Sequence, residues 1–148
     1  MSEKQALAAH AERGTARPVT GLRRGAFLGY QWLLLAFLLA GVAQIFLAGL
    51  GVFGLFDMGG DTFAPHRTLG FAMGGIAVLI LVLALIARPG ARAIVGSAVL
   101  VLLTSLVQSL LAGLGKDHAA YGGLHAFDGL LILGTAGYLF FLSRRHEL

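Results

Sequence analysis

Apolar residues in this chain neither alternate nor recur on a single helical face. They run on, in four segments at about 25–50, 66–87, 92–114 and 123–143. Each segment is long enough to cross a hydrocarbon core of about 30 Å at about 1.5 Å per residue. The pattern therefore predicts four membrane-spanning helices. Gly and Pro punctuate the joints. "ARPGAR" at 87–92 is a tight turn in which Pro89 stops the second helix. "GKDHAAYGG" at 115–123 is a second short connection. "GVFGLFDMGGDTFAP" at 51–65 is the longest, and its Pro65 suits a first helical turn. Short joints make successive helices antiparallel, so the predicted fold class is all-α: an up-down, four-helix transmembrane bundle.

Charge sets the orientation. Arg23 and Arg24 precede the first span, Arg88 and Arg92 flank the middle turn, and Arg144 and Arg145 follow the last. The other two connections hold Lys116 with Asp57, Asp61 and Asp117, and Arg67 opens the second span. Arginine excess marks the cytoplasmic side, so both termini are predicted there, in a cytoplasmic (inner) membrane. Residues 1–24 read as a largely disordered cytoplasmic tail and 144–148 as a short one. The run after Arg24 is too long for a signal-peptide core and no cleavage site follows it. Tyr30 and Trp32 near the inner end, and Tyr121 near the outer end, suit the membrane interface. The net charge of +4 does not point to nucleic acid, because the basic residues sit at span ends. With no cysteine, a disulfide framework, Cys-ligated iron–sulfur or zinc, and c-type haem attachment are excluded.

A repeat lies inside the greasy pattern. "QIFLAGLG" at 44–51 matches "QSLLAGLG" at 108–115, 64 residues on. His66 and His125 follow, 59 residues apart, each with a glycine four positions later. L-A-G-L-G alone recurs by composition in membrane helices or serves close packing; the glutamine upstream and H-x-x-x-G downstream make the match specific. The unit reads as a two-helix hairpin duplicated in tandem, with copies related by a pseudo-twofold axis along the membrane normal. His66 and His125 then sit at one depth, at the outer ends of the second and fourth helices. Gln44 and Gln108 lie on the first and third.

Polar groups in a bilayer usually face the bundle interior or a cavity. Residues i and i+4 share a helix face, which puts Gly70 below His66, with Gly74 further down, and Gly129 below His125. Histidines above smooth strips leave room for a flat ligand, and a haem with one imidazole on each side fits that description. Zinc wants three or four ligands, and only His118 or loop acids offer more. Glycines that merely bring helices together leave the histidines unexplained.

"PHRTLG" and "LHAFDG", opening the second and fourth helices of a basic-flanked bundle, resemble the four-helix haem-binding half of the haem A synthase family, and the chain also resembles small four-span bacterial membrane proteins of this pattern. The resemblance covers about residues 25–143. It implies one bis-histidine haem b, with His66 and His125 as axial ligands and Gly70, Gly74 and Gly129 beside it. Arg67 would pair with a propionate, or is an ordinary surface arginine. Gln44 and Gln108 would bond a propionate, a ring nitrogen or each other, or act as interhelical glue. Asp128 would orient a ligand or relay a proton, or simply favour the helix dipole. His118 reads as a solvated loop residue, and His10 and His146 are assigned nothing. Because the synthase carries two such bundles and this chain one, enzymatic activity is not expected. The reading is electron transfer or haem handling near the outer face, with a quinone or a respiratory-complex partner. The alternative is a haem-free scaffold or accessory subunit. A transporter lacks support, since no ladder of ionisable residues crosses the spans. The bilayer is a partner in every case, nucleic acid in none, and an oligomer is compatible with all.

Overall fold

The structure, a computed structural model, describes residues 17–55 and 60–145, the first four of them by backbone alone. Four helices form: α1 (Arg17–Val52), α2 (Ala64–Ala87), α3 (Ala91–Leu114) and α4 (Ala119–Arg145). All four are long and apolar enough to cross a membrane, so the chain is a multi-pass, all-helical membrane protein.

Two helix starts differ from the sequence pattern. The first span is predicted from about 25, yet α1 begins at Arg17 with Pro18 in its first turn, so residues 17–24 are helix rather than tail. Once a spanning helix exists, each added residue gains a backbone hydrogen bond without a new nucleation cost. The 36 residues of α1 reach about 54 Å, well beyond a hydrocarbon core of about 30 Å. The fourth span, predicted from about 123, starts at Ala119 for the same reason. Residues 1–16 and 146–148, including His10 and His146, lie outside the described residues.

Neighbours in the bundle are α1–α2, α2–α3, α3–α4 and α4–α1. The diagonal pairs α1/α3 and α2/α4 bring no described Cα atoms within 8 Å of each other. Each helix buries one stripe with spacings of three and four, the seam of a left-handed bundle. The stripes are Ala26, Tyr30, Leu34, Phe37 and Gly41 on α1, and Met73, Ala77, Ile80 and Ala84 on α2. On α3 they are Ala93, Ser97, Leu100 and Thr104, and on α4 Asp128, Ile132, Ala136, Leu139 and Ser143. Tyr30 is a correction. It is fully buried rather than interfacial, because its register places it on the seam, where its hydroxyl accepts from Ser97 Oγ at 3.5 Å. Trp32, one step off that stripe, is 69% exposed to lipid.

The core is confined to the arginine-bearing half of the bundle. Beyond the layer of Gly41, Met73, Thr104 and Asp128, Gly51 is the only buried residue among those described. The middle turn is closed by Arg88 in the left-handed conformation (φ 53°), its N–H returning to Ala84 O, followed by Pro89 and Gly90 (φ 122°). One irregularity stands out within the spans: α3 is α-helical from Ala91 to Val101, π-helical over Leu102–Val107, and α-helical again over Gln108–Leu114.

Candidate functional site

The two histidines meet in the loosely packed half. His66 opens α2 behind Pro65, whose fixed φ suits the first turn. His125 lies in the second turn of α4. Their ring centroids are 6.1 Å apart across the α2/α4 diagonal, with ring planes inclined at 65°. The edge of Phe63 meets the His66 ring, centroids 6.2 Å apart.

Each imidazole is tied to the glutamine of its own hairpin. His66 Nδ1 lies 3.1 Å from the backbone carbonyl of Gln44, and His125 Nδ1 lies 3.1 Å from that of Gln108. A carbonyl only accepts, so Nδ1 carries a proton in both rings, and in the neutral form of each ring the lone pair then lies on Nε2. The glutamine amides reach back. Gln44 Nε2 donates to His66 O at 2.8 Å. The Gln108 amide, oriented with its nitrogen toward acceptors, donates to His125 O at 3.1 Å and to Asp128 Oδ2 at 2.6 Å. In that orientation the amide oxygen lies 3.4 Å from His125 Nε2. Each hairpin is thus closed by a reciprocal pair of hydrogen bonds, glutamine amide to histidine carbonyl and imidazole to glutamine carbonyl.

This arrangement corrects the glycine reading. A Cβ at Gly70 would sit 2.9 Å from Gln44 Nε2, and one at Gly129 would sit 3.9 Å from Gln108 Nε2. A Cβ at Gly74 would meet Ser105 Oγ on α3 at 3.4 Å. The carbonyl of residue i is overhung by the side chain at i+4, so a glycine there uncovers the histidine carbonyl for an outside donor. At Gly70 the H-x-x-x-G spacing therefore makes room for the glutamine, whereas at Gly129 a Cβ would meet the amide only at ordinary contact distance. Arg67 lies at the surface, as the second of its two readings has it. It forms an exposed ion pair with Asp61, a partner that the sequence pattern does not single out. Asp128 is 3% exposed, so it belongs to the seam rather than to a solvated first turn. His118, in the connection before α4, meets the ring of Tyr121 in that helix's first turn edge-on. Gln44 Oε1 and Thr104 Oγ1 are buried without a protein partner.

Register explains the irregular helix. The buried residues of α2 and α4 correspond at a constant offset of 59, Met73 with Ile132 and onward to Ala84 with Ser143, and so do His66 and His125. On α1 and α3 the seam positions Tyr30, Leu34, Phe37 and Gly41 correspond to Ala93, Ser97, Leu100 and Thr104 at an offset of 63, whereas Gln44 and Gln108 differ by 64. One extra residue must be absorbed between Thr104 and Gln108. The π-turn at Leu102–Val107 absorbs it, a known use of such turns. Without it the seam and the glutamine cannot both face inward.

Chemically, the pair offers two imidazoles and no third protein ligand: no group of three or more His or acidic residues that could hold a metal occurs among the described residues. Two metal–nitrogen bonds of about 2 Å each, with the rings' own radii added, span about 6 Å. That matches the ring separation. The donor set suits a metal whose remaining ligands arrive with it, as in haem.

Residues 44–116 match a family of unknown function (DUF6220), a stretch that takes in Gln44, His66 and Gln108 and ends before His125. No curated protein and no solved structure matches the chain.

Proposed function

We propose that the chain is a haem-binding protein of the cytoplasmic membrane, holding one haem b between His66 on α2 and His125 on α4 near the outer face. The observation that carries the reading is the imidazole pair: each Nδ1 faces the backbone carbonyl of its hairpin's glutamine, and the ring centroids stand 6.1 Å apart between two helices whose Cα atoms come no closer than 8 Å. The resemblance of both histidine motifs to one half of haem A synthase supports it, as does the near-match of the two hairpins expected of a tandem duplication. A bound haem would supply reversible one-electron chemistry. The residues of this chain would do the rest. The glutamine carbonyls hold each imidazole in one tautomer and raise its basicity, and the apolar spans keep water from the centre. With a single pair of histidines at one end, electrons would be exchanged with a quinone or a respiratory-complex partner on that side.

The competing reading is a haem-free scaffold or accessory subunit, and the clamps favour it in one respect. They pair each histidine with the glutamine of its own hairpin, backbone carbonyl to side chain in both directions, so the repeated motif has a purely architectural use. Visible spectra separate the two. Protein purified in detergent from haem-sufficient cells should show a Soret band and, on dithionite reduction, a sharp α-band, with a pyridine haemochrome spectrum identifying haem b. A colourless preparation would leave the scaffold reading standing.

A further inference from the structure

The outer ends of the two hairpins cover their histidines differently. Over His66 stands Phe63, one turn nearer the helix start, its ring edge-on to the imidazole with centroids 6.2 Å apart. The Phe63 ring lies against the backbone of Gly51, where an added Cβ would come within 2.7 Å of it. Asp61 fastens this cover from the loop side. Its Oδ1 accepts from Phe63 N at 3.2 Å, and its carboxylate pairs with Arg67 in the first turn of α2.

The second hairpin has none of these parts. At the offset of 59 that relates the two histidines, Asp61, Phe63 and Arg67 become Ala120, Gly122 and Ala126. Gly115, the counterpart of Gly51 at the offset of 64, has the backbone of Gly122 against it instead of a ring, 3.0 Å from an added Cβ. A Cβ built at Gly122 meets nothing within 4 Å among the described residues. His66 thus has two ring neighbours, Phe63 and His125, whereas among the described residues His125 has His66 alone. The connection just before this bare end carries Lys116 and Asp117, both exposed, so the end faces water rather than lipid tails.

We propose that Phe63 decides how the histidine pair is reached: it closes the α1–α2 side to outer water, and small water-borne reductants or ligands arrive at His125 over Gly122 and Ala126 of α4. The proposal concerns the rings and their cover, and it stands apart from whether the pair holds a haem.

Diethyl pyrocarbonate, a small reagent that acylates an unprotonated imidazole nitrogen, reads access at each histidine through peptide mass spectrometry. Both rings make the same Nδ1 contact at 3.1 Å, so their rates compare cover rather than tautomer. In a colourless preparation of the full chain in detergent, His125 should be modified several-fold faster than His66. Phe63→Gly should raise the rate at His66 several-fold and leave that at His125 unchanged. Gly122→Phe, placed where a side chain has room, should slow His125 several-fold. In a preparation that carries haem the imidazoles are coordinated, and the rate read is that of reduction by dithionite in stopped flow. Gly122→Phe should slow it several-fold and Phe63→Gly should not slow it. Equal modification of the two histidines in the unaltered protein would overturn the proposal. So would a Gly122→Phe variant that matches the unaltered protein in whichever assay applies.

Discussion

The two hairpins are close in plan and differ in execution. In α1–α2 a regular helix carries Gln44 against His66, and the amide makes one bond, leaving Oε1 buried without a partner. In α3–α4 the helix carrying Gln108 is broken by a π-turn, and the amide makes two bonds because Asp128 stands where the first hairpin has Leu69. Yet the imidazole-to-carbonyl distance is 3.1 Å in both. Helix regularity and the surroundings of the amide differ between the hairpins, while the placement of the ring does not. What the fold holds constant is the placement of the two imidazoles against their carbonyls, which is why the pair rather than the glycine pattern is the feature to test.

The sharpest test of equivalence is removal of each ring in turn. If each hairpin supplies one axial ligand, His66→Ala and His125→Ala should each abolish the reduced α-band almost completely, and to the same extent. A variant that keeps most of the band would show that the hairpins are not equivalent partners.

Next in size is the register. Val42 and Leu106 are both lipid-exposed, at 64% and 61%, and each lies between the last seam residue of its helix and the glutamine. Deleting Val42 turns everything beyond it by about 100° and swings Gln44 off His66, so the first clamp should be lost, with a large fall in folded yield. Deleting Leu106 should do the opposite. It removes the extra residue, restores an α-helix, and leaves the glutamine three positions after Thr104, as Gln44 is after Gly41. Folded yield and thermal midpoint in detergent should then stay near those of the unaltered protein. Equal damage from both deletions would mean that the π-turn is not a stored insertion.

How much of this was legible beforehand follows from what kind of signal each part leaves. The four spans are visible because a bilayer demands length and apolarity, and both are written residue by residue. The histidine and glutamine pairing is visible because the residues recur with their neighbours. The π-turn leaves no local trace. "VLLTSLVQ" has nothing unhelical in it, and the mismatch emerges only when buried positions are known on both sides. The glycine roles were misread for a related reason. Sequence spacing tells that Gly70 is below His66, but not which neighbouring helix fills the space, and that neighbour proved to be the one bearing Gln44. Tyr30 was hidden the same way, since an aromatic near a span end fits both an interface and a seam. Arg67 found Asp61 because a loop folded back six residues, which no periodicity encodes.

The smaller effects sharpen the comparison within the clamps. At Gly70 an alanine Cβ would press on Gln44 Nε2 at 2.9 Å, whereas at Gly129 the corresponding contact is an ordinary 3.9 Å. Replacing a helical glycine by alanine gains about 1 kcal/mol of propensity. Losing the amide bond and stranding its groups costs about 2–3 kcal/mol. Gly70→Ala should therefore destabilise the protein by about 1–2 kcal/mol, while Gly129→Ala should be neutral or stabilise it by up to about 1 kcal/mol, read from unfolding curves in detergent. Equal effects would show that Gly70 does not seat Gln44.

The smallest expected change is at the position where the hairpins differ most in chemistry. Asp128→Leu gives the second hairpin the residue of the first. It removes an acceptor from Gln108, yet the amide keeps His125 O, and a carboxylate within a membrane span carries its own cost of about 2–3 kcal/mol. These terms oppose each other, so stability should move by no more than about 1 kcal/mol. A loss well beyond that, measured beside Asp128→Asn, would mean that the carboxylate holds the second clamp together and that Gln108 cannot place His125 without it.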